Sequence, residues 1–545
     1  MKRVILIFCS VLLGQISFAQ ALRVTGQVTS AEDGFSLPGV TVSVKGTTNE
    51  GTITDMDGNY SINVSKGKTL VFTYVGCKKH EATVQKAGAM NIVLQPDAQM
   101  LDEVVAIGYG TMKKSDLTGS VASVKADQLQ KTPAAGLDQA LQGRAAGVTV
   151  NANSGQPGAA AEVRIRGIGT VNNSAPIYVV DGVIVDNITY LSPSDIESTE
   201  ILKDASATAI YGSRGANGVI LVTTKKGGKD GKAVVSLNVY AGVQNRWNKL
   251  DLMGSQEFAE TLINMNNVKS EMNFYEKNGF NKWLRAYRLG DSEYYPTKLD
   301  YSTIETDWQD EVFQKNALVQ NYHVSVDGGN EKSSYSISGS YFTQEGTIMG
   351  SDYARVTLRA NSSHQVKSWL KIGENLSFMS SHGRNAMNNN SSPGASVLSA
   401  AIAMAPWDPT HYPDGSVNKN GKDLSGQISA ASNFKNVVNP YSMVYTSEPS
   451  DKTERWVGDL YLELTPIKGL TFRSDVSLDL TNTRSKLYKN KYEYSSYDKA
   501  EKNFISSNMA RYSNIGVENT LTYTKDIKKH SFSAMVGQTM EEYNY

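Results

Sequence analysis

From residue 233 onward the chain alternates apolar and polar positions in segments of about ten residues. That is the period of a strand with one face in each of two environments. Tyr335, Ile337, Gly339 and Tyr341 fall on one face, with Ser334, Ser336, Ser338 and Ser340 on the other. Val356, Leu358 and Ala360 oppose Arg355, Thr357, Arg359 and Asn361; Leu470, Phe472, Val476 and Leu478 oppose Thr471, Arg473, Asp475, Ser477 and Asp479. A soluble sandwich alternates too. Here the polar face is charged in several segments and tyrosine is abundant (28 in all). Lipid-facing apolar residues, lumen-facing polar ones and aromatic girdles make a membrane barrel. Short turns such as residues 465–469 join some segments, and long polar stretches such as 381–450 join others. That asymmetry is expected between periplasmic turns and external loops.

The first half is patterned differently. Lys2 and Arg3, an apolar run over 4–13 and Ser17-Phe18-Ala19 form the three parts of a signal peptide, residues 1–20. Residues 23–95 read as six or seven short strands of a small β-sandwich, with strands near 24–29, 39–44, 60–64, 70–75 and 91–94. Asp55-Met56-Asp57-Gly58-Asn59 lacks the twelfth-position Glu of an EF-hand loop and reads as a tight turn. Residues 96–114 form a linker. In it Asp102, Glu103, Val104, Val105, Ala106, Ile107 and Gly108 make a strand-prone stretch ending in glycine. Two readings stay open: a segment that adds itself to another protein's sheet edge, or a strand of the neighbouring domain. Residues 115–227 read as a compact mixed α/β domain. Leu129, Leu137, Ala140-Leu141 and Ala145-Ala146 have helical spacing, and 163–167 and 177–182 read as strands.

Composition narrows the chemistry. In 545 residues, Lys+Arg (54) equals Asp+Glu (54), so no basic excess supports nucleic-acid binding. Two cysteines exclude a disulfide scaffold. The glycine run from Gly212 to Gly218 has no following Gly-Lys-Ser/Thr and reads as close backbone packing at a turn. Arg164, Arg166, Asp181, Asp204 and Arg214 could pass for a catalytic set; they read better as buried salt bridges. His and Cys are absent between residues 81 and 322. The chain is not expected to be an enzyme, and no metal or other cofactor is implied.

Gly26-x-Val28, Leu37-Pro38-Gly39-Val40-x-Val42 and Gly51-Thr52-x-Thr54-Asp55-x-x-Gly58-x-Tyr60 resemble the carboxypeptidase-regulatory-like domain. Asp102-Glu103-Val104-Val105-x-x-Gly108-Tyr109-Gly110 with Leu117-Thr118-Gly119-Ser120-Val121 resembles the start of SusC/RagA TonB-linked outer-membrane transporters. Ala106 and Ile107 stand where that family more often has valines. Ser154-Gly155-x-Pro157-Gly158, Ile165-Arg166-Gly167, the 176–182 stretch, Asp195-Ile196-Glu197-Ser198 and 203–220 resemble its plug. The resemblance implies a TonB box at 102–108. It also implies a structural and gating fingerprint: Arg164, Arg166, Gly167, Asp181, Gly182, Lys203, Asp204, Tyr211, Gly212, Arg214, Gly215, Asn217 and Gly218.

The fold expected is mainly β: signal peptide, small carboxypeptidase-regulatory-like β-sandwich, mixed α/β plug, and part of a large antiparallel transmembrane β-barrel over 233–545. About ten strands are expected there, too few to enclose a plug, so the barrel is expected to be incomplete at its C-terminus. Met540-Glu541-Glu542 are expected to interrupt the last alternation. The implied function is energy-coupled import of an oligosaccharide or oligopeptide across the Gram-negative outer membrane. The implied partners are TonB with its ExbB/ExbD energy complex, a SusD-like surface lipoprotein and outer-membrane lipid. Specificity is expected in external loops bearing aromatics such as Trp407 and Tyr412. A non-transporting glycan receptor or adhesin, and an usher-type secretion pore, are the alternatives.

Overall fold

The computed structural model describes residues 21–31, 34–46, 51–74, 77–95, 104–107, 110–113, 121–131, 133–167, 174–255, 257–258, 261, 304–385, 396–412, 414–418, 437–493, 499–527 and 530–544. The expected signal peptide, and Asp102, Glu103 and Gly108, lie outside the described residues. The chain divides into two compact units, the first ending in the linker and the second holding nearly everything after it.

The first unit is a two-sheet sandwich. Its strands are β1 (Ala21–Ser30), β2 (Thr41–Val44), β3 (Gly51–Ile53), β4 (Asn59–Ser65), β5 (Thr69–Thr73), β6 (His80–Thr83), β7 (Gly88–Ala89) and β8 (Ile92–Leu94). One sheet joins β4, β1, β7 and β8; the other runs β3-β2-β5-β6. Period-two patterning buries one face of each: Tyr60, Ile62 and Val64 point inward from β4 onto Val24, Val42 and Phe72. The Tyr60 ring packs edge-on against Phe72, centroids 5.3 Å apart, and its hydroxyl donates to the Met90 carbonyl at 2.8 Å. Burial pushes the Tyr60 phenol up to about 12. The Asp-Gly stretch is a turn: the Asp55 carboxylate accepts from the amides of Asp57 (3.0 Å) and Asn59 (2.7 Å). Gly58 takes φ +75, and a Cβ there would meet the Val28 carbonyl at 2.8 Å.

In the linker, β9 (Val104–Ile107) pairs with β10 (Gly110–Lys113) as a two-stranded ladder. The mixed domain follows, with β11 (Val121–Lys125), β12 (Val148–Asn151), β13 (Glu162–Ile165), β14 (Ile177–Val180), β15 (Val183–Val185), β16 (Ile196–Leu202) and β17 (Val219–Thr224). Five strands form one sheet in the order β11-β16-β17-β14-β15, and β12-β13 is a separate hairpin. Asp181 (φ 50) and Gly182 (φ 106) turn β14 into β15. Positive φ at both central residues matches the twist of a tight hairpin, which is why Asp-Gly stands there. The helical spacing resolves into two short turns, Ala126–Gln130 and Leu137–Ala140, separated by a segment containing Pro133. Leu129, Leu137 and Leu141 bury fully against the sheet.

The remaining strands are β18 (Val234–Gln244), β19 (Ala317–Gly329), β20 (Ser333–Glu345), β21 (Ser351–Lys367), β22 (Leu370–Asn385), β23 (Ser447–Ile467), β24 (Leu470–Lys489), the small hairpin β25 (Tyr492–Glu493) and β26 (Lys499–Ala500), then β27 (Phe504–Ile527) and β28 (His530–Asn544). Nine of them form one antiparallel meander, β18-β19-β20-β21-β22-β23-β24-β27-β28. The expectation of about ten strands is thus close. β28 runs through Met540, Glu541 and Glu542 as one continuous strand: Met540 lies on the apolar face and Glu541 on the polar one, and Glu542, back on the face of Met540, is the charge that interrupts the alternation. The sheet inverts the burial order of a soluble protein. Ser336 and Ser338 are each 7% exposed, while Ile337 between them is 55% exposed. Arg355, Thr357 and Arg359 are buried while Leu358 is 54% exposed. Two- and three-residue turns close one end (330–332, 368–369, 468–469), and the long connections 245–316 and 386–446 lie at the other.

An outward apolar face in lipid makes a direct prediction. Leu358→Arg, at the middle of β21, costs about 2–4 kcal/mol of folding free energy in a bilayer. Ile53→Arg, on the exposed face of the sandwich, stays within about 0.5 kcal/mol. Equilibrium unfolding from lipid vesicles measures both, and equal costs would contradict a lipid-facing wall.

Candidate functional site

The buried polar face of the nine-stranded wall is covered by the mixed domain, and the contacts between them are ionic and polar. Asp181, held in its hairpin turn, accepts from the Thr224 amide (3.0 Å) and hydroxyl (2.6 Å) and ion-pairs with Arg359 of β21. Arg359 also donates to the hydroxyls of Thr224 (2.8 Å) and Ser377. Asn361, one inward position further along β21, donates to the same Thr224 hydroxyl (2.8 Å) and to the Lys225 carbonyl (3.1 Å). Two oppositely charged side chains, both nearly out of water, therefore share one hydrogen-bond network, in which Arg359 Nε and Asn361 Oδ1 are left without a protein partner.

Two further buried pairs lie at the same interface, one between plug and wall and one between neighbouring strands of the wall. Asp195, where a short 3-10 turn enters β16, meets the His323 ring of β19 at 2.7 Å. Burial pushes the Asp195 carboxyl up; the hydrogen bond and charge of His323, with the Ser338 hydroxyl, outweigh it and leave the group below its ordinary value. Arg455 of β23 grips Asp479 of β24 through two nitrogens (2.9 and 2.6 Å). Its remaining terminal nitrogen reaches the Asn187 side chain at 2.7 Å, and its guanidinium lies 4.7 Å over the Tyr190 ring. Arg214 reaches β28, meeting the Glu541 carboxylate (3.0 Å) and the Tyr543 hydroxyl (3.1 Å). Inside the domain, burial pushes Asp138 up against the hydrogen bonds it accepts from the Ala161 and Gln139 amides.

The residues expected to form a fingerprint do not gather into one cluster. Asp181 and Arg214 reach the wall. Arg164 pairs with Glu162 and donates to Ser174. Asp204 caps the Ala205–Thr208 turn by accepting from the Ala207 amide at 2.9 Å, and Lys203 donates to the Ala146 carbonyl. Arg166 (φ 55) is exposed, beside Gly167 (φ 92). Reading the five charged residues as buried salt bridges therefore needs correction: only Asp181 is a deeply buried pair, and its partner lies in the wall. The glycine run is close packing. A Cβ on Gly218 (φ +91) would meet the Ile165 side chain at 2.7 Å, and one on Gly215 the Thr208 carbonyl at 2.7 Å. Gly212 (φ +57) sits in the open; Tyr211 and Asn217 are half-buried on the same 3-10 stretch. Of the linker stretch, Val104, Val105, Ala106 and Ile107 are backbone-paired as β9.

Sequence reasoning missed His323 and the roles of Arg355, Arg359 and Arg455. Their signal was present: full charges on the face of a strand that otherwise carries Ser, Thr and Asn. The loop aromatics need a correction too. Trp407 is 3% exposed and packs on Phe258 at 5.2 Å, while the half-buried Tyr412 donates to Asn418 at 2.8 Å. Both build the loops rather than offer open faces.

The TonB-dependent receptor plug domain family matches residues 113–219, and the CarboxypepD_reg-like domain family matches 24–106. TonB-dependent receptor P3 of Formosa agariphila is 36% identical over 552 residues, covering 99% of this chain and 50% of its own length. TonB-dependent receptor SusC of Bacteroides thetaiotaomicron is 34% identical, covering 82% of this chain and 42% of its own. Among solved structures, the RagAB peptide importer in its closed-closed state aligns at TM-score 0.65 and 28% identity over 78% of this chain and 48% of that one. The chain spans about half the length of the curated relatives it matches. These relatives are receptors and transporters, not enzymes.

The seat makes its own prediction. Asp181→Leu strands a buried guanidinium and costs about 3–5 kcal/mol, whereas adding Arg359→Met costs less than the sum of the single changes. Denaturant unfolding of the four proteins measures the cycle. Because the Asp195 carboxyl sits low, its stabilising contribution is complete above its unfolded value near about 3.9 and is lost as pH falls through the lower folded value. Asp195→Asn should remove that limb of the stability–pH curve.

Proposed function

This chain is a SusC/RagA-like TonB-dependent receptor, and from that premise we propose that it imports a large nutrient across the outer membrane. The observation that carries the reading is the seat itself. A lipid-facing wall carries a domain against its polar face through discrete polar contacts, which is the arrangement of a pore wall with a removable stopper. The substrate class proposed is an oligosaccharide or oligopeptide. The similarity to SusC and to the RagAB peptide importer supports that class and a SusD-like lipoprotein partner at the outer surface.

The drive is mechanical. The segment 102–108 precedes and includes β9, a backbone that already adopts strand geometry. TonB, energised by ExbB/ExbD, would pair with it by strand addition, in which main-chain hydrogen bonds supply the grip. Tension then reaches β11, the next described strand of the plug. β11 is laddered to β16 over five residue pairs, Val121↔Leu202 to Lys125↔Ser198. β16 begins one residue after Asp195, so a pull on the linker arrives beside the Asp195–His323 contact. Freed carboxylates and guanidinium groups meet water as the plug shifts, which lowers the cost of separation. No covalent step and no cofactor is needed.

Deleting residues 102–108 in the full-length receptor should abolish uptake of the ligand and leave its binding at the cell surface intact. Collapsing the proton gradient should reproduce that phenotype in the unaltered protein. Uptake that persists in both conditions would contradict an energy-coupled importer and favour a passive pore; binding with no gradient-dependent uptake in the unaltered protein would favour an adhesin.

A further inference from the structure

A cavity of about 190 Å³ lies between the plug and the wall, beside the Asp195 contact but lined by none of Asp181, Asp195 and Arg455. The plug lines it with Lys131 and Ser194, and the wall with Asn238, Tyr240, Asn321 and Arg355. It is far larger than one water requires. Its two charged lining residues, Lys131 and Arg355, are both cations. Arg355 is 4% exposed. It donates one terminal nitrogen to the Thr189 carbonyl (2.6 Å) and the other to the Ala135 carbonyl (2.9 Å), both neutral acceptors. Its Nε–H is buried and has no protein partner. Among the described residues no carboxylate lies within ion-pair distance of it. Asp138 and Asp195 act on it through space without touching it; Asp138 accepts from the Ala161 amide and Asp195 meets His323.

A guanidinium so placed is anomalous beside its neighbours. Arg359 and Arg455, buried to the same degree on the same face of the wall, each hold a carboxylate. A buried guanidinium with no carboxylate in contact carries a desolvation cost that more distant charges offset only in part, and water filling the cavity hydrates it without neutralising it. We propose that the cavity binds one small oxyanion, a carboxylate or a phosphate group, which supplies the counter-charge to Arg355 and ties plug to wall. Guanidinium recognises both groups through paired N–H donors. Asn238 and Asn321 add amides, Ser194 a hydroxyl, and Lys131 a second positive charge. Asn321 and Arg355 are each the fifth residue of their strands from the end that carries the long connections, so the site lies in the outer half of the wall. An anion there would strengthen the plug's seat, so occupancy would raise the resistance of the closed state to displacement.

The test is titration of the detergent-purified full-length receptor with sodium phosphate or with sodium acetate at constant ionic strength, made up with chloride. Thermal unfolding and calorimetry are read together. The unaltered protein should show saturable binding of at least one anion and a rise in Tm that saturates with it. Phosphate alone would indicate a phosphate site; acetate alone or both would indicate a carboxylate site. Arg355→Gln should weaken binding at least tenfold. Should that variant fail to fold, Lys131→Ala decides, with an expected several-fold loss of affinity because Lys131 lines the cavity from the plug side. No saturable effect in the unaltered protein, or an effect retained in whichever variant folds, would overturn the proposal.

Discussion

One constraint orders the second unit: the nine-stranded wall buries its polar face. In water a sheet turns its valines and leucines inward and leaves serines to the solvent. Here Ser334, Ser336, Ser338 and Ser340 are covered and Ile337, Leu358 and Val476 stand open. Only a surrounding apolar phase makes that outward face favourable, since lipid removes the cost of exposing it to water. The covered face then has its own demand. Every hydroxyl, amide and charge on it needs a partner once it is taken out of water. The plug is the body that supplies those partners.

This explains the chemistry of the seat. The plug has an apolar core of its own, in which Leu129, Leu137, Ile196, Ile201 and Ile220 are buried, and among the described residues only Met379 and Val457 of the wall join that cluster. The contact surface is instead Asp181 on Arg359, Asp195 on His323 and Asn187 on Arg455. An apolar seat would cost about 25 cal/mol for each Å² exposed to water on separation, with nothing regained. A polar seat loses its hydrogen bonds but exchanges them for water as the gap floods, so its net cost is far smaller. The same contacts are directional and fail within a small displacement. Ion pairs and hydrogen bonds thus position the plug firmly at rest and suit the proposed displacement by a pull on one end.

The sequence discloses local decisions better than distant ones. Alternation over 334–341 and 355–361 placed those residues on the correct faces, because period two is a property of the strand alone. The Asp55 stretch was legible as a tight turn through its conformational demands, whereas 177–182 was legible as a strand and the hairpin at Asp181-Gly182 became plain only in the structure. The helical spacing over 129–146 was legible, but the break near Pro133 between its two turns was not given its weight. The seat was least legible. Arg359 and Asp181 are 178 positions apart, His323 and Asp195 are 128, and Arg455 and Asn187 are 268. No spacing rule couples such positions; the strand register and the docking of the plug do. Charges inside the plug, such as Arg214, were therefore assigned to each other when the partner, Glu541, stood on the last strand of the wall.

The long connections obey the same logic in miniature. Buried Trp308, Val312, Val397, Met404 and Val438 come from the links between β18 and β19 and between β22 and β23, and they form one apolar cluster. The Trp308 indole donates to the Ala405 carbonyl at 3.0 Å, and Tyr441 to the Glu311 carboxylate at 2.8 Å. Each short helix starts with a side chain in place: Asp307, Ser396 and Asn439 accept from the amides of the first turn. Loops stapled by a core and capped helices do not collapse into whatever approaches them; they present a shaped surface at modest entropic cost. Burial of Trp407 and the engagement of Tyr412 follow from this, since both side chains help these loops hold their own shape.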